Sequence, residues 1–154
     1  MGGWGGLAHN FKTIIMSKFE LVTYVEGREY PQLTFYILNR GWNSGKPMDK
    51  PCSNCFVCIC ESEDSKHSLY WISYTLWQAK QFHLLLKGSV IPFLSIYDAK
   101  KIYLKSFATV EANTIDFLTG INLVRKLEEN RKVAERQMVL LEQLKITYLR
   151  NLLK

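Results

Sequence analysis

The chain has 154 residues, 47% of them hydrophobic and 13% aromatic, with a formal net charge of +6. That size and composition suit one domain plus an appendage with a real core, and they exclude a disordered chain for most of the length. The charge is spread evenly, with 8 basic and 5 acidic side chains over 112–154 and the remaining 12 and 9 over 1–111. An excess of that size is compatible with a polyanion partner but falls well short of a histone-like tail.

Residues 1–16, with glycine at four of the first six positions, read as a flexible N-terminal extension too short of apolar residues for a secretory leader. With no leader expected, the setting is cytoplasmic and the cysteines are reduced. Residues 19–25 are β-branched and aromatic and predict a strand, followed by a turn at Glu26-Gly27-Arg28. Residues 33–38 predict a second strand, 39–51 a polar loop and 55–60 a third strand. The acidic, hydroxyl-rich run 61–65 suits a helix start, and the helix expected over 66–83 carries two apolar faces. One holds Leu69, Ile72, Leu76 and Ala79 and the other Tyr70, Tyr74 and Trp77, so packing is expected on both sides.

A short strand over 90–93 follows Gly88. Ser95-x-x-Asp98 has capping-box spacing and predicts a helical turn through Lys101, before a last strand over 102–104. From Asn113, a plausible cap, to Leu153 there is no proline, and Gly120 is the only glycine. Phe117, Ile121, Val124, Leu127, Ala134, Met138, Leu141, Tyr148 and Leu152 recur at steps of three and four or their sums. A helix of that span would be roughly 60 Å long at about 1.5 Å per residue, too long for its own domain to cover. The stripe therefore needs a partner, and its gradual drift favours a coiled coil. Arg131 and Lys145 interrupt it as register-setting polar positions, while Leu140, Ile146 and Leu149 broaden the apolar face near the end.

Cys52, Cys55, Cys58 and Cys60 form C-x-x-C-x-x-C-x-C, dense enough to raise zinc or an iron–sulfur cluster. On a strand, Cys58 and Cys60 share one face and Cys55 points to the other, so the cysteines read as small buried hydrophobes and no metal is expected. The three histidines stand beside no nucleophile motif, and no phosphate-cradling glycine motif occurs. The expectation is a non-catalytic protein without cofactor. In the loop 39–51, Arg40, Asn43, Lys46 and Lys50 are residue types that grip phosphates and read base edges, and Lys87 and Ser89 are further candidates. Trp42 is expected to fold back onto the core.

The stretch Leu69-Tyr70-Trp71 and then 86–104, Leu-Lys-Gly-Ser-Val-Ile-Pro-Phe-Leu-Ser-Ile-Tyr-Asp-Ala-Lys-Lys-Ile-Tyr-Leu, resembles the end of a target-recognition domain of type I restriction–modification specificity subunits. Ile115-Asp116-Phe117-Leu118, Ile121, Leu141-Glu142-Gln143-Leu144-Lys145 and Leu149 to Leu153 are similar to that family's long conserved helix. The segment Asn39-Arg40-Gly41-Trp42-Asn43-Ser44-Gly45-Lys46-Pro47 resembles one shared by a group of short uncharacterised Bacteroidetes proteins. The specificity subunits usually carry a Pro-Leu-Pro stretch before the long helix, where 104–111 holds no proline, and they hold two recognition units where this chain has one.

The resemblance implies a half-sized, truncated DNA-recognition module that assembles through its helix. Its partners would be double-stranded DNA and, through the helix, a second copy or a methyltransferase-type subunit. No membrane partner is expected, because the most apolar run, 82–94, is interrupted by His83, Lys87 and Pro92 and is too short to span one. The alternative is an interaction factor of a phage or mobile element that docks on a restriction or other host complex without DNA. The expected fold is α+β: a small mixed-sheet domain with one packed helix over 17–111, then a long coiled-coil-type helix over 112–154.

Overall fold

The computed structural model describes residues 19–153. The extension expected over 1–16 lies outside the described residues. The fold is α+β. Strands β1 (Glu20–Thr23), β2 (Thr34–Leu38), β3 (Pro47–Met48) and β4 (Cys55–Ile59) form one sheet in the order β1-β4-β2-β3. Every pairing in it is antiparallel, so the sheet is not mixed.

Strand β4 is central, flanked by β1 and β2, and its residues Cys55, Phe56, Val57 and Cys58 are all buried. A continuous apolar run belongs at such a position, where both faces are covered. The register lines Leu21, Cys58 and Phe35 across one face, with Phe56 and Ile37 beside them. Val22, Val57 and Tyr36 line the other face, closed by ring contacts of Tyr24 with Tyr30 and Tyr36 at 5.8 and 6.2 Å.

Helix α1 (Glu63–Gln78) opens on a reciprocal cap. The Ser65 amide donates to Ser62 Oγ at 3.1 Å and the Ser62 amide to Ser65 Oγ at 3.0 Å, satisfying two otherwise orphaned donors. Glu63 and Asp64 add negative charge to the same turn. Leu69, Ile72 and Leu76 are buried, and Phe35 meets Tyr70 edge-on at 5.6 Å. The aromatic face is only half-buried rather than packed like the first. There His67, Trp71, Tyr74 and Trp77 follow one another with ring centroids 6.3, 5.2 and 5.7 Å apart. Lys80 ends α1 in the left-handed region at φ 54°, the conformation that closes many helices, and a 3-10 helix, Gln81–Leu85, follows.

The strand expected over 102–104 is instead the middle of α2 (Ile96–Ala112), so two helices pack in this part of the chain rather than one. Ser95 caps α2 by accepting from the Asp98 amide at 3.1 Å, and no glycine or proline interrupts the run that follows. Buried Ala99, Tyr103 and Val110 fall on one helical face, which overrides the β preference of Ile102 and Tyr103. The strand expected over 90–93 reduces to Phe93, which bridges Lys87 on one side and Arg40 on the other. Pro92 has no amide to extend that pairing.

Asn113 ends α2 with its amide on the Val110 carbonyl at 3.2 Å, and α3 (Thr114–Leu152, 39 residues) begins at the next residue. The chain divides into two compact units between Thr114 and Ile115.

Candidate functional site

The loop 39–51 is held by its own backbone. Gly45 donates to the Leu38 carbonyl at 2.7 Å and Leu38 to the Lys46 carbonyl at 2.9 Å, while Ser44 Oγ, fully buried, donates to the Gly41 carbonyl at 2.7 Å. Gly45 has φ +95° and lies against Phe82, whose ring fills the space a Cβ would need. Phe82 is itself fully buried, so the loop is clamped to the core through a residue of the 3-10 helix.

A second segment joins the loop. The Gly41 amide donates to the Pro92 carbonyl at 2.7 Å and the Leu94 amide to the Asn39 carbonyl at 2.8 Å. Lys87 and Phe93 exchange amide–carbonyl bonds of 2.9 and 2.8 Å. Arg40 and Lys87, 47 positions apart by number, therefore flank Phe93 in one short ribbon.

The candidate residues divide on this frame. Arg40, Asn43, Lys46 and Lys50 are exposed on the loop, and Lys87 and Ser89 are exposed on the adjoining segment. Lys87 Nζ pairs with Asp98 at 2.7 Å, so its charge is locally neutralised. Hydrogen bonds from Lys87 and then Ser95 hold the Asp98 carboxyl below its usual range. Lys46 Nζ lies 5.4 Å from the centroid of the Trp77 ring, a cation–π contact at the end of the aromatic row on α1. Among the described residues no carboxylate forms an ion pair with Arg40, Lys46 or Lys50.

Trp42 does not fold back onto the core. It is 69% exposed, its carbonyl is bonded by His83 Nε2 at 2.9 Å, and its ring centroid is 6.1 Å from the His83 ring. Val90, Ile91 and Phe93 are also exposed, giving the same region an apolar component that residue-type reasoning missed. Gly88, at φ +93°, and Pro92 were the signals in the sequence that 88–92 is a turn and not a strand.

In α3, Ile121 is buried and Val124 half-buried, while Leu127, Ala134, Met138, Leu141, Tyr148 and Leu152 are exposed. Every residue from 131 to 153 is exposed, including Leu140, Leu144, Ile146 and Leu149. The two polar interruptions are satisfied along the helix: Arg131 pairs with Glu128 and Glu135, and Lys145 with Glu142. No helix among the described residues is long and apolar enough to cross a membrane.

Cys58 and Cys60 lie on the helix-facing side and hydrogen-bond each other, which raises the Cys58 thiol, further raised by burial, and lowers that of Cys60. Cys55 points to the opposite face beside Cys52. Among the described residues no three His, Cys, Asp or Glu side chains converge as a metal site would require.

An antiparallel sheet with two packed helices, a clamped basic-aromatic loop and a long exposed helix define an α+β module with an appended arm. The chain belongs to the family of unknown function DUF6943, whose pattern residues 21–151 match. No curated protein and no solved structure matches it.

Proposed function

We propose that this protein is a non-catalytic binding module that assembles through α3 and contacts double-stranded DNA with its loop 39–51. The observation that carries the reading is the run of exposed residues from 131 to 153, which holds Leu140, Leu141, Leu144, Tyr148 and Leu152. A contiguous apolar face of this length is stable in water only when covered, and a second copy of the same helix covers it by coiled-coil packing. The DNA part rests on Arg40, Asn43, Lys46 and Lys50 on one rigid loop, with Arg40 and Lys87 flanking Phe93. Exposed cations and amides on a fixed frame suit phosphate contacts. The resemblance to specificity subunits points the same way, and a cytoplasmic setting belongs to this reading.

The test is a fluorescence titration with duplex DNA across salt concentration. Binding that weakens steeply with salt, and a salt slope reduced by about one for each of Lys46→Ala and Lys50→Ala, is the expected result. Absence of binding at low salt removes the DNA part.

A second reading drops DNA and makes the same surface a protein contact on a host complex. It is favoured by the Lys87–Asp98 pair, which removes one cation, and by exposed Trp42, Val90, Ile91 and Phe93, apolar types that suit a protein contact. Recovery of a stoichiometric protein partner in a nuclease-treated pull-down, together with a null DNA titration, would decide for it.

A further inference from the structure

The function proposed above uses none of the cysteines, yet two of them are arranged for chemistry. Cys52 and Cys55 bracket the exposed turn Ser53-Asn54 at the entrance to the central strand. Cys55 Sγ donates to the Cys52 carbonyl at 2.9 Å and accepts from the Cys52 amide at 3.5 Å, so the Cys55 thiol is held against the Cys52 backbone. Cys52 is half-buried and within reach of solvent, whereas Cys55 is buried. Turn ends three residues apart lie less than about 7 Å from each other at Cα, a span that overlaps the roughly 4.4–6.8 Å of a disulfide.

We propose that Cys52 and Cys55 are a thiol–disulfide switch, closed by a small-molecule disulfide such as glutathione disulfide. The Cys52 thiolate attacks one sulfur of the oxidant, forming a mixed disulfide and releasing one glutathione thiolate, which takes up a proton. Cys55 then loses its proton to solvent and attacks Cys52 Sγ, forming the Cys52–Cys55 bond and releasing the second glutathione. The protein dithiol gives up two electrons and two protons, and the oxidant becomes two thiols. Burial is the main cause that pushes the Cys55 thiol up to about 11, so it is protonated at neutral pH and the half-buried, more accessible Cys52 starts the exchange. The Cys58 and Cys60 pair is buried on the other face of the sheet and is closed to an oxidant in solution.

The turn is wired to the functional loop. The Asn39 amide donates to the Asn54 carbonyl at 3.0 Å, and Asn39 is followed by Arg40. Closing the disulfide fixes the turn that holds the base of loop 39–51, so oxidation stiffens that loop. This holds whether the loop contacts DNA or protein.

The experiment equilibrates the native full chain in glutathione buffers from reducing to oxidising, then alkylates free thiols and maps them by mass spectrometry. The expected oxidised species has two of the four cysteines protected, is lighter by two hydrogens before alkylation, and carries a 52–55 crosslink. Cys52→Ser abolishes the intramolecular bond, while Cys58→Ser leaves it. Hydrogen exchange at the Asn39 amide slows on oxidation in the native chain and not in Cys52→Ser. Four alkylatable thiols at every glutathione ratio, a crosslink at 58–60, or only intermolecular disulfides would overturn the proposal. Because these readouts need neither DNA nor a partner, they fail or succeed separately from the binding function.

Discussion

At Gly45 a backbone φ of +95° and a neighbouring aromatic ring act together: an added Cβ would lie 2.0 Å from Phe82 Cδ2. Phe82 is fully buried and cannot swing away, so Gly45→Ala combines overpacking with left-handed strain. Denaturant unfolding should show a loss of about 3 kcal/mol or more. Tyr103 offers a milder case. Its buried hydroxyl donates to Ser73 Oγ at 2.6 Å, and Ser73 in turn donates to the Leu69 carbonyl. Tyr103→Phe removes one bond while Ser73 keeps its acceptor, so unfolding should show a loss of about 0.5–1.5 kcal/mol. Asp98 gives a pH signature. Its folded pKa is depressed by Lys87 and Ser95 below the unfolded value of about 3.9. The stability it contributes is complete above that value and is lost as pH falls through the folded pKa. Thermal melting of Asp98→Asn should therefore lack part of the wild-type decline in acid, and the two proteins should differ by a constant amount between pH 5 and pH 7.

At the scale of elements, α3 is about 58 Å of helix with its last 23 residues exposed throughout. On a helical wheel Val133, Leu140, Leu141, Leu144, Tyr148 and Leu152 fall within an arc of about 120°. Glutamate at both Leu141 and Leu144 places charge in the middle of that arc. Circular dichroism should show reduced helicity for this double variant, with the near-ultraviolet signal of the aromatic sheet domain retained. The existence and length of α3 were legible from a stripe without proline, because spacing alone reports a helix face. Strands β1, β2 and β4 were legible too, since β-branched and aromatic runs bounded by Gly, Pro and Asn leave few alternatives, whereas the two-residue β3 lay inside the expected polar loop 39–51. Residues 102–104 were not: three β-prone residues read alone as a strand, and only the distant partners Ser73 and Phe82 favour Tyr103 on a helix. The loop cations were legible as residue types, but their division was not. Asp98 neutralises Lys87 and Trp77 engages Lys46 through tertiary contacts that local spacing does not encode.

For the molecule as a whole, the exposed apolar face of α3 and the loop cations answer differently to salt. Residues 136–154 hold Arg136, Lys145, Arg150 and Lys154 against Glu142, a basic excess beside an apolar face. Association driven by that face should persist at high salt, because apolar burial is not screened, whereas contacts of Arg40, Lys46 and Lys50 with phosphates should weaken. The two activities therefore separate on a salt axis.

The most direct test is the solution mass of the full chain by sedimentation equilibrium, measured beside Leu141→Glu/Leu144→Glu. Assembly through α3 predicts at least twice the 17.9 kDa of one chain for the wild type and 17.9 kDa for the double variant. A wild-type chain that sediments as a monomer at every concentration would contradict the account.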